Sequence, residues 1–489
     1  MALHLYNTLS RQKEPFVPLN PPYVGLYVCG PTVYGEPHLG HARAAVTFDV
    51  LFRYLRFLGY RVRYVRNITD VGHLEGDADE GEDKILKKAR LEKLEPIEVA
   101  QRYTALYHQA MDALNVLRPS IEPTATGHIP QQIAMIERIL ERGYAYVVNG
   151  SVYLDVERYR QDFPYGILSG RQVEELLAGS RELEGQAEKR HPYDFALWKR
   201  AEPSHLMQWD SPWGRGYPGW HIECSAMSIH YLGVPFDIHG GGLDLVFPHH
   251  EAEITQAHAC FGPEAQNQAR FWVHNNLVTI QGQKMSKSLG NFITLQEVFS
   301  GKHPKLSRPH APMALRFLFL QAHYRSTVDF SEEALMAAHR AYLRLMTAYE
   351  RLLEVRPGSY STWAVAPWRE KVFAALDDDL NTAAALALFF EQVDFILRLR
   401  RQEAFLTPDD LALFQQTWRE VLQDILGLLP VLQVERSKWN QTLNLLLALR
   451  RQARLEKNFA LADLIRDRLQ EMGVRLLDFP DETLWEWAE

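Results

Sequence analysis

The sequence predicts an α/β protein: a Rossmann-like parallel-sheet domain carrying a helical insertion, followed by all-α C-terminal domains. Three observations carry this. Val24 to Val28 is a short apolar run fit for a buried strand, the stretch from His38 to Leu58 repeats apolar residues at helical spacing, and Arg61 to Ile68 reads as a second strand. Up to about residue 310 the chain keeps mixing short strands, Gly and Pro punctuation and helices. From about His310 the texture changes to long helical segments such as AHYRSTVDFSEEALMAAHRAYLRLMTAYERLLEV and TAAALALFFEQVDFILRLRRQ.

The opening unit is punctuated by its own residues. Cys29-Gly30-Pro31 ends the first strand, and the helix carries Leu39, Ala42, Val46, Val50 and Phe57 on its apolar stripe. Pro37 stands where a first-turn proline belongs and Gly59 where a terminating glycine belongs. In a strand–helix–strand unit the helix N-terminus points at the carboxyl end of the sheet, where free amides and the positive dipole end make an anion site. The insertion runs from roughly Gly76 to Gly219 and reads as mostly helical. The turn-rich strip Arg356 to Pro367 and the stretch Pro430 to Ser437 read as linkers. The expected domains are therefore 1–310, 311–430 and 431–489.

Composition narrows the function classes. With 489 residues, 46% hydrophobic and 23% charged, the chain is long enough for two to four domains with a sizeable core. It has no run of 18 apolar residues, and MALHLYNTLSRQKEPF lacks the charged-then-apolar order of a secretory signal, so a cytoplasmic protein with no membrane segment is expected. Three cysteines, Cys29, Cys224 and Cys260, do not make a disulfide framework. A net charge of -8 argues against a general nucleic-acid coat protein. One local exception stands out: Leu446 to Arg475 holds seven basic against four acidic side chains, including Arg450, Arg451, Arg454 and Lys457.

Two short motifs carry phosphate chemistry. His38-Leu39-Gly40-His41 opens the first helix, where two imidazoles at offset three can donate hydrogen bonds to charge developing at an α-phosphate. Lys284-Met285-Ser286-Lys287-Ser288 supplies two cations, two hydroxyls and loop amides suited to β- and γ-phosphates, and Gly282 and Gly290 on either side would let the loop close. Two histidines alone would be an ordinary helix start, and an isolated lysine loop ordinary surface. Together they resemble the signature of class I aminoacyl-tRNA synthetases. That resemblance implies activation of a carboxylate by ATP with Mg²⁺, with His38, His41, Lys284 and Lys287 as the catalytic groups.

A third constellation has metal-ligand character. In PHHEAE, His249 and Glu253 are four apart, on one face of a helix; Cys224 lies just upstream and Cys29 at the mouth of the first strand. Thiolate, thiolate, imidazole and carboxylate suit Zn²⁺. On spacing alone, a solvated His/Glu pair and two buried cysteines fit as well.

The motifs YVCGPTVYGEPHLGHARAAVTFDVLFRYLRFLGYRVRYVRNITDVG, GYPGWHIECSAMS, FDIHGGGLDLVFPHHEAEITQ and GQKMSKSLGNF resemble, almost residue for residue, those of the cysteinyl-tRNA synthetase family, and the likeness runs from LYNTLSRQKEPF to ALADLIRDRLQEMG. The resemblance implies one zinc ion held by Cys29, Cys224, His249 and Glu253 that binds the thiolate of substrate L-cysteine. A soft thiolate is a far better zinc ligand than a serine hydroxyl, so such a site discriminates where an apolar pocket could not. With four protein ligands the site must open a position for the substrate, and Glu253 is the ligand expected to loosen. The resemblance further implies Thr69 and Trp220 in the cysteine pocket, and Gly40, Gly241, Gly242 and Asp244 with Lys284, Met285, Ser286, Lys287 and Ser288 at ATP.

It also implies tRNA-Cys as partner, with residues 311–430 contacting the stem and residues 431–489 reading the anticodon through Arg454, Phe459, Asp463 and Asp478, and a monomeric enzyme. Phe459 stands where many relatives have tryptophan, and DFPDETLWEWAE, with five carboxylates and no cation, departs from a basic tail. A different class, a cysteine ligase acting on a small amine as in the mycothiol pathway, shares these motifs but normally lacks the long C-terminal arm. A degenerate RNA-binding relative would not need both phosphate motifs intact.

Overall fold

In a computed structural model of the chain, the described residues are 2–72, 74, 83–171, 188–203, 205–286, 289–430, 433–478 and 483–487. The chain divides into two compact units, one of Met1–Glu297 with Tyr324–Val328 and Asp378–Leu380, the other of Val298–His323, Asp329–Asp377 and Asn381–Glu489.

The first unit is built on a four-stranded parallel sheet. β1 (Tyr23–Val28) pairs with β2 (Arg61–Arg66) on one side and with β3 (Phe236–Gly242) on the other, and β4 (Ala269–Asn275) lies outside β3. The chain thus grows outward from β1 in both directions, and the order reverses between β1 and β3. That reversal opens a crevice at the carboxyl ends, the place where open α/β sheets bind ligands. Register puts Val28 beside both Arg66 and Gly240, so Cys29 and Asn67 leave the sheet at one edge while β3 and β4 stay paired as far as Gly242 and Asn275.

Crossover helix α1 (Leu39–Phe57) buries its apolar stripe together with the polar Arg43, Thr47 and Asp49. Asp49 is satisfied from both oxygens, by Arg53 Nε at 2.8 Å and the Leu117 N–H at 2.8 Å. The helix is capped by His38, whose Nδ1 accepts the Gly40 N–H at 3.1 Å. Pro37 therefore sits one residue ahead of the cap, not in the first turn. At the other end Gly59, at φ 90°, returns its N–H to the Arg56 carbonyl at 3.0 Å. β2 stops at Arg66, two residues short of the expected strand, because the Ile68 N–H turns to the Pro123 carbonyl and the Thr69 N–H to the Pro31 carbonyl.

The insertion is not mostly helical. Besides helices such as α2 (Pro96–Ala113), it holds a four-stranded antiparallel sheet of Ala145–Val148, Ser151–Leu154, Phe195–Arg200 and Gly216–Pro218. Its first hairpin closes on Asn149-Gly150, both at positive φ, the backbone that matches the twist of two adjoining strands. Leu154, Leu197 and Trp198 of this sheet are fully buried against Ile136, Ile139 and Ile222. Burial of such a large apolar face outweighs local helical preference, and emptying the Trp198 site to alanine would cost about 3–5 kcal/mol. The chain then returns to the first sheet through α3 (Trp220–Leu232), β3, α4 (Glu251–Phe261) and β4.

The second unit is helical through Pro312–Leu320, Glu332–Leu353, Val365–Asp377, Thr382–Phe390, Val393–Arg400 and Pro408–Trp418. The helix at Val365 begins inside the strip read as a linker, with Pro367 in its first turn. Gln433–Leu455 likewise starts inside the second expected linker. After Phe459–Glu471 the chain ends in an antiparallel hairpin, Val474–Asp478 with Thr483–Trp487, which the helical pattern did not announce.

Candidate active site and metal centre

A cavity of about 270 Å³ opens at the carboxyl ends of β1, β2 and β3. Its wall carries Cys29, Cys224, His249, Thr69 and Trp220 at one end and His38, Gly40, His41, Lys284 and Met285 at the other, with Gly242 and Asp244 between the sheet and α4. Gly30 is required by close approach: a Cβ there would collide with the Asn67 carbonyl oxygen. The Asn67 amide fixes that approach, its Oδ1 accepting the Gly30 N–H at 2.7 Å and its Nδ2 donating to Thr69 Oγ1 at 3.0 Å.

At the first end, Cys29 Sγ lies 3.7 Å from Cys224 Sγ and 3.6 Å from Glu253 Oε1, and Glu253 Oε1 lies 3.3 Å from His249 Nε2. A tetrahedral zinc with sulfur at about 2.3 Å and nitrogen or oxygen at about 2.0 Å has S–S, S–O and N–O edges of about 3.8, 3.5 and 3.3 Å. The donor set fits the ion.

Three acidic groups in contact, Cys29, Cys224 and Glu253, with only Cys29 partly exposed, also call for a cation. Burial, reinforced by Cys224, pushes the Cys29 thiol up, and burial pushes the Glu253 carboxyl up.

A layer of histidines stands behind these groups. Glu253 Oε2 is held by His239 Nε2 at 3.0 Å and by the Gln268 amide at 3.3 Å, so Oε1 alone faces the thiols. His249 Nδ1 meets His221 Nδ1 at 2.9 Å, which turns Nε2 toward Glu253. His250 places Nε2 3.3 Å from Cys29 Sγ, while its Nδ1 meets His274 Nε2 at 2.7 Å and His274 Nδ1 meets Thr8 Oγ1 at 2.7 Å. Cys29, His239, His250 and Glu253 therefore make a second possible ligand set sharing two members with the first. The first holds two sulfurs and suits zinc better.

At the other end, His38 and His41 stack with ring centroids 3.8 Å apart. Each ring accepts a backbone N–H at Nδ1, His38 from Gly40 and His41 from His38 at 3.3 Å. A neutral ring in that position carries its proton on Nε2. Burial lowers the His41 pKa to about 4, so it is neutral at pH 7. The Lys284 side chain is exposed on a short hairpin, Val278–Ile280 with Gln283–Lys284.

Residues 15–340 match the family described as tRNA synthetases class I (C) catalytic domain, and residues 371–430 match the DALR domain. The cysteine–tRNA ligase of Bacteroides fragilis is 54% identical over 486 residues, covering 99% of this chain and 98% of that protein. That of Porphyromonas gingivalis is 53% identical, with 99% of both covered. The chain belongs to the cysteine–tRNA ligase family of class I synthetases.

Among solved structures, the Agrobacterium radiobacter LeuRS in its ternary complex with tRNA and LeuAMS aligns with a TM-score of 0.56 at 13% identity, over 85% of each chain. Methionyl-tRNA synthetase of Mycobacterium tuberculosis aligns at 0.52 and 13%, over 82% of this chain and 89% of that one. At such identities these two speak for the class I fold alone.

Most residues singled out in the sequence meet in this cleft, with exceptions. Gly241 packs against His250 and Leu245, where a Cβ would crowd the ring. Ser286 is half-buried at the base of its loop, and Lys287 and Ser288 lie outside the described residues. In the second unit Arg454 and Phe459 are exposed, Asp463 is exposed and paired with Arg466 at 3.0 Å, and Asp478 ends the first strand of the last hairpin. The sequence reading missed His239, His250, His221 and His274, as well as Arg66 and Tyr107 in the cleft wall. The signal was available for His250, which stands next to His249 in PHHEAE, whereas His239 in FDIHGGG lies 14 residues from Glu253.

Proposed function

We propose that the protein is a cysteine–tRNA ligase that activates L-cysteine with Mg²⁺-ATP and esterifies tRNA-Cys, working as a cytoplasmic monomer. The observation that carries this reading is that one cleft wall joins Cys29, Cys224 and His249, with Glu253 in contact behind them, to both phosphate motifs. Zinc, when bound there, supplies a Lewis acid that accepts the cysteine thiolate and passes over serine. Every other task belongs to side chains of this chain. Thr69 and Trp220 close around the amino acid, and Trp220 packs on the His249 ring, centroids 4.3 Å apart and planes tilted by 30°.

The cysteine carboxylate oxygen attacks the α-phosphorus, and the bond to the bridging oxygen of pyrophosphate breaks. His38 and His41 donate from Nε2 to the charge on the α-phosphate, and Asp244 accepts from the ribose hydroxyls. Lys284 and Lys287, with Ser286, Ser288 and the Met285 amide, take the leaving pyrophosphate. The carboxylate arrives ionised, so positioning replaces a general base. The terminal 2′-hydroxyl of the tRNA then attacks the acyl carbon and AMP leaves. Residues 311–430 contact the stem, and residues 431–489 read the anticodon through Arg454, Phe459, Asp463 and Asp478. Stacking on Phe459, which is 60% exposed, suits a splayed base. A long helical arm and terminal hairpin beyond Pro430 favour tRNA over a small amine as acceptor.

The test is ATP–pyrophosphate exchange with cysteine and with serine, beside charging of tRNA-Cys, in the full chain and in one ending at Leu432. Exchange with cysteine but not serine is expected from both. Charging should collapse in the truncated chain, because loss of a few phosphate contacts costs orders of magnitude in affinity. Unchanged charging would remove the anticodon role, and cysteine ligation to a small amine without charging would replace the tRNA reading.

A further inference from the structure

We infer that Asn291 and Phe292 couple the two phosphate motifs, Asn291 as a clasp at the neck of the 284–290 loop and Phe292 as the link to the histidine pair. Both act as positioning residues for the reaction proposed above, and the inference rests on that reading. Asn291 is buried, and its side chain bridges both arms of the loop: Oδ1 accepts the Ser286 N–H at 2.8 Å and Nδ2 donates to the Lys284 carbonyl at 3.2 Å. Ser286 Oγ in turn accepts the Leu289 N–H at 3.3 Å. One amide therefore fixes where the Lys284 and Ser286 backbone lies, a job that needs a donor and an acceptor in one short side chain.

The next residues tie this neck to the first motif. Phe292 meets the His38 ring edge-on, centroids 5.1 Å apart. Thr294 bridges to His38, the Leu39 N–H points at the Ile293 carbonyl at 3.4 Å, and the Leu295 N–H reaches the Pro37 carbonyl at 2.8 Å. The Thr294 N–H and hydroxyl both donate to Glu297, holding the far end of the segment. The segment from Asn291 to Leu295 thus lies along Pro37 to Leu39, and His38 in turn stacks on His41. A shift of the lysine loop is passed through Phe292 to the ring whose Nε2 serves the α-phosphate. The contacts hold the Lys284–Ser286 backbone and the His38 ring in one register, and none of them involves the metal end of the cleft.

The experiment compares Asn291→Ala, Asn291→Asp and Phe292→Leu in cysteine-dependent pyrophosphate exchange, with thermal unfolding as the check on folding. Misplacing the loop by about 1 Å should lower kcat by about a hundredfold in Asn291→Ala. KM for cysteine should stay within about twofold, since the metal end is untouched. Asn291→Asp keeps the acceptor for Ser286 but loses the donor to Lys284, so it should fall between. Phe292→Leu should lower kcat in the parent chain but add nothing to His38→Ala, because its effect passes through that ring.

Trypsin cleavage at the lysines of the 284–288 segment, followed without ligands, should be faster in Asn291→Ala than in the parent. A kcat within twofold of the parent in Asn291→Ala, a cysteine KM rising in step with the loss, or additive Phe292 and His38 effects would overturn the coupling. Absence of exchange in the unsubstituted chain would instead sink the ligase reading, and the trypsin comparison would then decide for or against the clasp by itself.

Discussion

The two ends of the cleft solve opposite problems. The metal end is built from buried groups on rigid elements, with Cys224 on α3 and Glu253 on α4 both fully buried and each first contact backed by a second residue. The phosphate end is built from a helix start and an exposed hairpin, with Lys284 at the surface. The difference follows from what each must recognise. A thiol differs from a hydroxyl by one atom, so its site needs fixed donors that are ready before the substrate arrives. Triphosphate brings its own charge, and an exposed cation such as Lys284 can meet the charge as it develops. Substitutions at the metal end should therefore appear as lost selectivity and lost cation, and those at the phosphate end as lost kcat with selectivity intact.

The largest effect is expected from Cys29→Ser, because Cys29 belongs to both possible ligand sets. Removing one partner of a buried charged cluster costs about 3–5 kcal/mol. On that scale kcat/KM for cysteine should fall by two to four decades, about tenfold per 1.4 kcal/mol. Zinc content measured by metal analysis should fall with it, and preference over serine should shrink. Full selectivity after verified loss of the metal would break the comparison at its stronger end. Lys284→Ala should come next. Loss of one charge aimed at the leaving group should lower kcat of exchange by about 10²–10³ with the cysteine-to-serine ratio unchanged. A changed ratio would mean that the two ends are not separate.

Legibility in the sequence followed the same division. Residues that act through sequence-local geometry could be read directly: His38 and His41 from one helix start, His249 and Glu253 from helical spacing, β1 from an apolar run and β2 as the strand that follows the helix. His221, His239 and His274 of the backing layer could not, because their contacts are made across elements. His274 reaches His250 from β4, and His221 reaches His249 from α3, separations of 24 and 28 residues that no local pattern records. The antiparallel sheet in the insertion is a different case. Val147-Val148-Asn149-Gly150-Ser151-Val152 is a strong hairpin signal of two β-rich arms around Asn-Gly, and it was outweighed by the surrounding helical texture. Pro430 to Ser437 was read by its turn residues, whereas the helix there starts at Gln433, within the stretch. The fold class and family survived these misreadings because the motifs that define them sit at strand ends.

A smaller effect tests the backing layer itself. His239→Ala leaves Glu253 Oε2 to the Gln268 amide alone while keeping all four donors of the sulfur-rich set in place. Loss of such an outer partner typically weakens metal binding about 10–100-fold. Zinc affinity measured by chelator competition should fall by that much, and His250→Ala should behave alike. Cys224→Ser and His249→Ala should lose far more. The reverse ranking, with His239 and His250 essential and Cys224 dispensable, would move the ion into the histidine-rich set and require a new account of thiol recognition.

The smallest expected effect is a flat line, and it bears on the phosphate end. An unperturbed histidine titrates near 6.5, whereas burial lowers His41 to about 4. Because the folded value is the lower one, the unfolded chain takes up a proton as pH falls through about 6.5 that the folded chain refuses until about 4. The stability tied to the neutral ring is therefore intact above 6.5 and is lost as pH falls from there toward 4. For catalysis the consequence is that His41 remains a neutral Nε2–H donor across the working range, its Nδ1 being taken by the His38 N–H. Exchange kcat measured from pH 5.5 to 8 in the parent and in His41→Asn, a neutral donor at any pH, should give a ratio constant within about twofold. Zinc content is followed in parallel, so that acid release of the metal is not mistaken for titration of the ring. A ratio that changes about tenfold with a midpoint near 6.5 would show His41 gaining a proton in the working range. The phosphate end would then use a cation on its helix as well as the exposed Lys284 on its hairpin.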